Sequence, residues 1–185
     1  MIRKIVYTKW FYFLNVAILS MFYKRKYLKG KYFETQRYGL VWAWKGLFRR
    51  VFTLNKGVRW PIGKNVLVPN GSNIIFDQSS INVFQSPGCY FQSQIGKIFI
   101  GKNVYIAPNV GLITSNHDPK NLDKHLEGKN IHIGDECWIG MNAVLLPGVQ
   151  LGSKTIVGAG SVVTKSFVAG NCIIAGNPAV KIKDL

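Results

Sequence analysis

The chain has 185 residues, 48% of them hydrophobic, and a formal net charge of +16. That length supports one domain with a real core, and the apolar content excludes global disorder. The charge invites a nucleic-acid reading, but residues 1–60 hold 14 Lys/Arg and one acid, Glu34, while residues 61–185 hold 10 Lys and 7 acids. The positive charge therefore belongs to one segment, and no nucleic-acid partner is expected.

The first element runs from Ile5 to Tyr23, IVYTKWFYFLNVAILSMFY, and is followed at once by KRKYLKGKYF. Its apolar run between Lys9 and Lys24 covers 14 residues, short of the roughly 20 needed to span a bilayer. A span starting at Ile5 would bury Lys9, and the small-residue cleavage site of a signal peptide is missing. The spacing predicts a helix rich in Trp, Tyr and Phe with a basic flank. Such a helix suits the headgroup region of an anionic membrane surface. A second patch, YGLVWAWKGLFRRVF (38–52), repeats the chemistry. The competing reading packs both helices on the main domain or on another subunit. The expected division is a membrane-associating extension, 1–58, and a second domain, 59–185, with the protein cytoplasmic and peripheral on the inner face of the cell membrane.

From residue 131 the chain can be written in sixes: IHIGDE, CWIGMN, AVLLPG, VQLGSK, TIVGAG, SVVTKS, FVAGNC, IIAGNP. The third positions, Ile133, Ile139, Leu145, Leu151, Val157, Val163, Ala169 and Ala175, are all apolar, and Gly follows in six of the eight. A 3.6-residue helix cannot keep one face inward at this period, and so much Gly would weaken it. The pattern fits very short strands, one inward side chain each, with Gly relieving the backbone at the corners. Three such strands make a turn of a triangular parallel β-helix. The rhythm extends upstream through Ile62, Val68, Ile74, Ile100, Ile106 and Leu112, with a less regular coil over residues 77–94. It breaks hard only between Leu112 and Ile131. The polar stretch TSNHDPKNLDKHLEGKN (114–130) is therefore a loop inserted into a continuous coil, a place where function tends to sit. Cys89, Cys137 and Cys172 form no CxxC pair, so no disulfide framework or zinc site is expected, and they read as buried apolar residues. His117, His125, Asp118 and Asp123 match no metal-ligand spacing. His132 alternates with Ile131 and Ile133 and should point out of the coil.

The hexapeptides, the phrase CWIGMNAVLLPGVQLGSKTIVGAGSVVTKS and the ending AGNPAVKIK resemble the left-handed β-helix (hexapeptide-repeat) acyltransferases, in particular the sugar O-acetyltransferases. The resemblance covers about residues 60–183. It implies a mainly β fold, a left-handed parallel β-helix of hexapeptide repeats, with the N-terminal helical, basic-aromatic extension added to it. It also implies a homotrimer with each cleft between two prisms, acetyl-CoA as co-substrate, no metal, and direct transfer in a ternary complex.

Acetyl transfer from a thioester to a hydroxyl needs a base, an oxyanion donor and a slot for the acyl donor. His117, at the edge of the coil after IAPNVGLITSN, stands where the resembling family has its general base; His125, deeper in the loop, should be solvated. Asn116 and Asp118 flank the base and either orient it or bind sugar hydroxyls. Gln92, Ser93 and Gln94, in the coil before it, are further acceptor-binding candidates. By the resemblance, Trp138 lies beside the cleft, and the backbone N–H of Met141 holds the oxyanion. Ala159 lets the CoA arm approach, while Thr164, Lys165, Lys181 and Lys183 meet the arm and phosphates. Lysine neutralises phosphate as a point charge, without the bidentate fork of arginine. The expected acceptor is a sugar hydroxyl of a surface polysaccharide or lipid-linked precursor. An amino group on a nucleotide sugar, serine, and a non-enzymatic β-helix scaffold are the alternatives.

Overall fold

The computed structural model describes residues 8–50, 55 and 57–185. The expected helical segments at residues 1–7 and 51–52 lie outside the described residues.

Three parallel sheets form the faces of a prism. The first contains β1 (Ile74–Phe76), β3 (Ile98–Ile100), β8 (Ile131–Ile133) and β11 (Gln150–Leu151). The second contains β2 (Tyr90–Gln92), β5 (Gly111–Ile113), β10 (Val144–Leu145) and β13 (Val162–Val163). The third contains β4 (Tyr105–Ile106), β9 (Trp138–Ile139), β12 (Thr155–Val157) and β14 (Cys172–Gly176), closed by the antiparallel β15 (Ala179–Asp184). After the loop, partners on all three faces are 18 residues apart: Ile133 with Leu151, Ile139 with Val157, Leu145 with Val163. Across the loop they are 33 apart: Ile100 with Ile133, Ile106 with Ile139, Leu112 with Leu145. Loop 114–130 thus adds 15 residues to one turn without disturbing the register on either side.

The inward ladder is the one the hexapeptides predict. Leu112, Ile139, Leu145 and Val163 are fully buried, and Ile133, Leu151 and Val157 nearly so. Each such side chain contributes about 1.5–3 kcal/mol on burial. The last turn departs from the sixes. Val157 pairs with Ile174, one residue earlier than the period requires, so Ile174 is buried, Ala175 is only half-buried and Ala169 is exposed. The short turn lets the larger aliphatic side chain close the end of the prism.

The glycines divide between the corner role expected and a second one, close approach of the next coil. The left-handed conformation is held by Gly148, Gly160, Gly170 and Gly176, and equally by Asn103, Asn109, Glu136, Asn142 and Lys154. Asn tolerates that region best among residues with a side chain. Gly134 and Gly140 are needed because the next coil passes against them. A Cβ on Gly134 would sit 2.6 Å from the Ser153 nitrogen, and one on Gly140 2.6 Å from the Ala159 nitrogen.

The irregular stretch 77–94 contains an eight-residue 3-10 helix, Gln78–Gln85, that replaces a hexapeptide. Asp77 caps it, accepting the Ser79 N–H at 2.9 Å and the Ser79 hydroxyl at 2.7 Å. Both contacts favour the carboxylate and hold its pKa below the usual value.

The extension folds as α1 (Lys9–Leu19) and α2 (Tyr38–Arg50), joined by two short helical turns. Tyr12, Val16, Leu19, Phe33 and Leu40 are buried. The Trp44 indole donates to Asn15 across the helix pair at 2.7 Å. Arg37 is buried, donating to the Phe33 carbonyl at 3.0 Å and lying over the Tyr12 ring. Tyr27, Trp60, Phe76 and Phe84 then stack the extension onto the first coil, so both regions share one core. The opposite side of α1 stays exposed, with Trp10 70% and Phe13 58% accessible. Among the described residues no helix is long and apolar enough to cross a membrane.

Candidate active site

The excursion is a β-hairpin. β6 (His117–Asp118) pairs antiparallel with β7 (Asn121–His125). Its root is closed by the Lys129 N–H on the Thr114 carbonyl and the Leu126 N–H on the Asn116 carbonyl, both 2.8 Å. Gln92, from the preceding coil, grips the root. Its Oε1 accepts the N–H groups of Thr114 (2.8 Å) and Ser115 (2.9 Å), and its Nε2 donates to the Ser115 carbonyl at 3.1 Å. At the tip, Asp118 accepts the Lys120 N–H at 2.8 Å, an Asx turn that reverses the chain.

This arrangement fixes His117. Its Nδ1 lies 2.6 Å from the Leu122 carbonyl oxygen. A carbonyl only accepts, so Nδ1 carries the proton and, in the neutral ring, Nε2 keeps the lone pair. The side chain is exposed, so Nε2 is open to an incoming hydroxyl. The His125 ring packs on His117 with centroids 4.2 Å apart. His125 is solvent-exposed, as expected, but it also backs the candidate base. Neither contact was legible in the sequence, because a backbone carbonyl has no signature and the His117–His125 pairing depends on hairpin register.

Two of the expected acceptor-binding residues make hydrogen bonds within the fold. Ser93 is fully buried, its hydroxyl donating to the Asn70 carbonyl at 2.9 Å. Gln92 spends its amide on the loop root, as described. Gln94 is exposed. Asp118 is committed to the turn, and the imidazole is oriented by the Leu122 carbonyl instead. Asn116 is exposed and lines a cleft of about 420 Å³ together with Leu126, Glu127, Lys129, Leu146 and Thr164. Within one chain the structure thus brings Asn116 and Thr164 together. Trp138, Met141, Ala159, Lys165, Lys181 and Lys183 do not line that cleft.

Those residues lie elsewhere on the coil, and all are exposed. Trp138 stands beside Tyr105 and Ile156 on the third face. The N–H groups of Met141 and Ala159 enter no backbone hydrogen bond among the described residues, which leaves both available to a ligand. Lys165 reaches over the Phe167 ring. Lys181 pairs with Asp184 at 2.6 Å, which raises its pKa. His132 stacks flat on Phe99 outside the coil, centroids 4.4 Å apart. Cys89, Cys137 and Cys172 are buried, and burial pushes the Cys89 and Cys137 thiols up. Among the described residues no group of three or more His, Cys, Asp or Glu could hold a metal ion.

The model for bacterial transferase hexapeptides (six repeats) matches residues 130–165. A Schizosaccharomyces pombe protein named provisionally as an acetyltransferase is 34% identical over 142 residues, 75% of this chain and 66% of that one. The chain belongs to the hexapeptide-repeat acyltransferases. An Escherichia coli protein named provisionally as a colanic acid biosynthesis acetyltransferase is 29% identical over 156 residues, 78% of this chain and 77% of that one. The crystal structure of a maltose O-acetyltransferase from Clostridium difficile 630 superposes with a TM-score of 0.56 at 26% identity, covering 95% of this chain and 88% of that one. The prism is thus the left-handed β-helix of this acyltransferase family. The first curated relatives are longer than the matched region: the matches span 46%, 66% and 55% of their lengths.

Proposed function

We propose that this hexapeptide-repeat protein is an acetyl-CoA-dependent O-acetyltransferase that modifies a sugar hydroxyl, with His117 as general base. The observation that carries this reading is the Nδ1 contact with the Leu122 carbonyl, which leaves Nε2 as the acceptor of a proton. Nε2 takes the hydroxyl proton as the sugar oxygen attacks the thioester carbonyl. The Met141 N–H holds the developing oxyanion, the C–S bond breaks, and the imidazolium returns its proton to the departing thiolate. A base positioned in this way contributes roughly 10²–10⁴ in rate. No covalent enzyme intermediate is needed.

The coil supplies exposed groups for acetyl-CoA. Trp138 borders the donor, and the bare backbone at Ala159 admits the pantetheine arm. Thr164, Lys165, Lys181 and Lys183 meet the arm and its phosphates. Asn116 and Gln94 remain for the acceptor. His117 and the Met141 N–H sit on separate parts of one chain, and a homotrimer accounts for this by completing each cleft from two copies. The acceptor is a surface polysaccharide or its lipid-linked precursor, a reading supported by the similarity to the colanic acid relative. It is also supported by the exposed Trp10, Phe13 and Met21 on the basic extension, which suit a peripheral site on the cytoplasmic leaflet.

The test is incubation of the purified chain with acetyl-CoA and a panel of glycans. Free CoA should appear together with a product carrying one acetyl group that is lost in mild base. An acetyl group stable to base would mean N-transfer, and no CoA release with any acceptor would leave a scaffold.

A further inference from the structure

A second cleft, of about 430 Å³, opens where the extension meets the first coil, and no residue of loop 114–130 lines it. Lys24, Lys26 and Arg59 line it, and the Lys24 N–H donates to the Arg59 carbonyl at 3.0 Å, tying the two sides together. Its wall is aromatic. Tyr27 stacks on Phe76 with centroids 4.9 Å apart, and Trp60 meets Phe76 edge-on at 5.0 Å.

Two features of this cleft bear on what it binds. The first is charge. Glu34 is the only acid before Asp77 in the sequence, and it is occupied by the Gly30 N–H at 2.8 Å. Neither Lys24 nor Arg59 forms an ion pair among the described residues, so three like charges share one opening without compensation. The second is an orphan donor. Trp60 is 2% exposed and lines the cleft, yet its Nε1–H has no hydrogen-bond partner. A buried N–H without a partner is costly and rare. An anion answers the first feature, and the second places a sensitive probe in the cleft wall.

We propose that this cleft binds a phosphate-bearing group. Lys24 and Arg59 neutralise its charge from the rim, and Trp60, whose N–H is shielded from solvent in the wall, reports its arrival. The aromatic stack holds this wall in place before the ligand arrives, which lowers the ordering cost of binding. Met21 and Phe22, both exposed, precede Lys24 by three and two residues. The phosphate can come from a lipid headgroup or from a soluble phosphate compound. The proposal does not depend on acetyl transfer.

The full chain holds five tryptophans, and the Trp60 indole N–H resonance is assigned by comparison with Trp60→Phe. Titration with inorganic phosphate should shift that resonance and leave the other four unmoved. The double variant Lys24→Gln/Arg59→Gln, checked for an unchanged melting temperature, should weaken the effect at least about tenfold. Flotation with phosphatidylglycerol and with phosphatidylcholine vesicles separates the sources. Loss of phosphatidylglycerol binding in the double variant assigns the site to a lipid headgroup. Unchanged vesicle binding with a weakened phosphate shift assigns it to a soluble phosphate compound. A Trp60 resonance that phosphate does not move, or moves equally in the double variant, overturns the proposal.

Discussion

The Nδ1 of His117 and the carbonyl oxygen of Leu122 lie 2.6 Å apart, and the hairpin turn between them makes that contact. Asp118 holds the turn through the Lys120 N–H. Replacing Asp118 by Ala removes one hydrogen bond at an exposed tip, an effect of about 0.5–1.5 kcal/mol. Because the Leu122 carbonyl depends on the turn, kcat should fall several-fold while the melting temperature barely changes. Steady-state kinetics beside a thermal melt checks this.

Gly140 and Gly160 separate close packing from backbone strain. A Cβ at Gly140 would strike the next coil at 2.6 Å, while one at Gly160, at φ +69°, meets nothing within 4 Å. Gly140→Ala should cost more than the roughly 1 kcal/mol expected for Gly160→Ala. Chemical denaturation of both variants measures the difference.

Leu145 is fully buried in the inward ladder. Leu145→Ala should destabilise the protein by about 2–5 kcal/mol. Ala169→Ser, at an exposed position of the last turn, should be nearly neutral, although the six-residue rhythm gives both positions the same role. Thermal melts of the two variants check the irregular closing turn.

Asp77 has a pKa below its ordinary value because Ser79 donates to its charged form. Its contribution is therefore present above the unfolded carboxylate pKa and is lost as pH falls through the lower folded value. Asp77→Ala should lower stability at pH 7 by about 0.5–2 kcal/mol, as loss of a helix cap does, and the gap to the native chain should narrow in strong acid, where the native carboxylate is protonated. Melts between pH 7 and pH 2 follow it.

Cys89 and Cys137 are buried and their thiols are pushed up, so little thiolate forms at neutral pH. Treatment of the folded protein with a thiol-blocking reagent should leave acetyl transfer intact. Loss of activity in step with modification would point to a thiol intermediate.

The prism was legible because its code is local: an aliphatic residue every six, repeated through Ile133, Ile139 and Leu145, leaves one architecture that buries them all. The loop was legible as a break in that period. The reason for Gly134 was not, since the approach of Ser153 to it is a contact between successive coils. Ile174 in place of Ala175 escaped for a related reason, because one deleted residue shifts the register without spoiling the composition. At the site, His117 could be read from its place after Leu112 and from the family phrase around it. The bonds of Ser93 and Gln92 within the fold were not legible, because a polar residue near a loop looks the same whether it meets a ligand or clamps a backbone.

The central claim is that Nε2 of His117 takes the proton from the acceptor. The most direct test compares CoA release by the native chain and by His117→Ala at saturating acetyl-CoA and glycan. The account predicts a fall of roughly 10²–10⁴ in kcat, with acetyl-CoA binding and melting temperature unchanged, because the histidine is exposed and makes no core contact. Full activity in His117→Ala would contradict it.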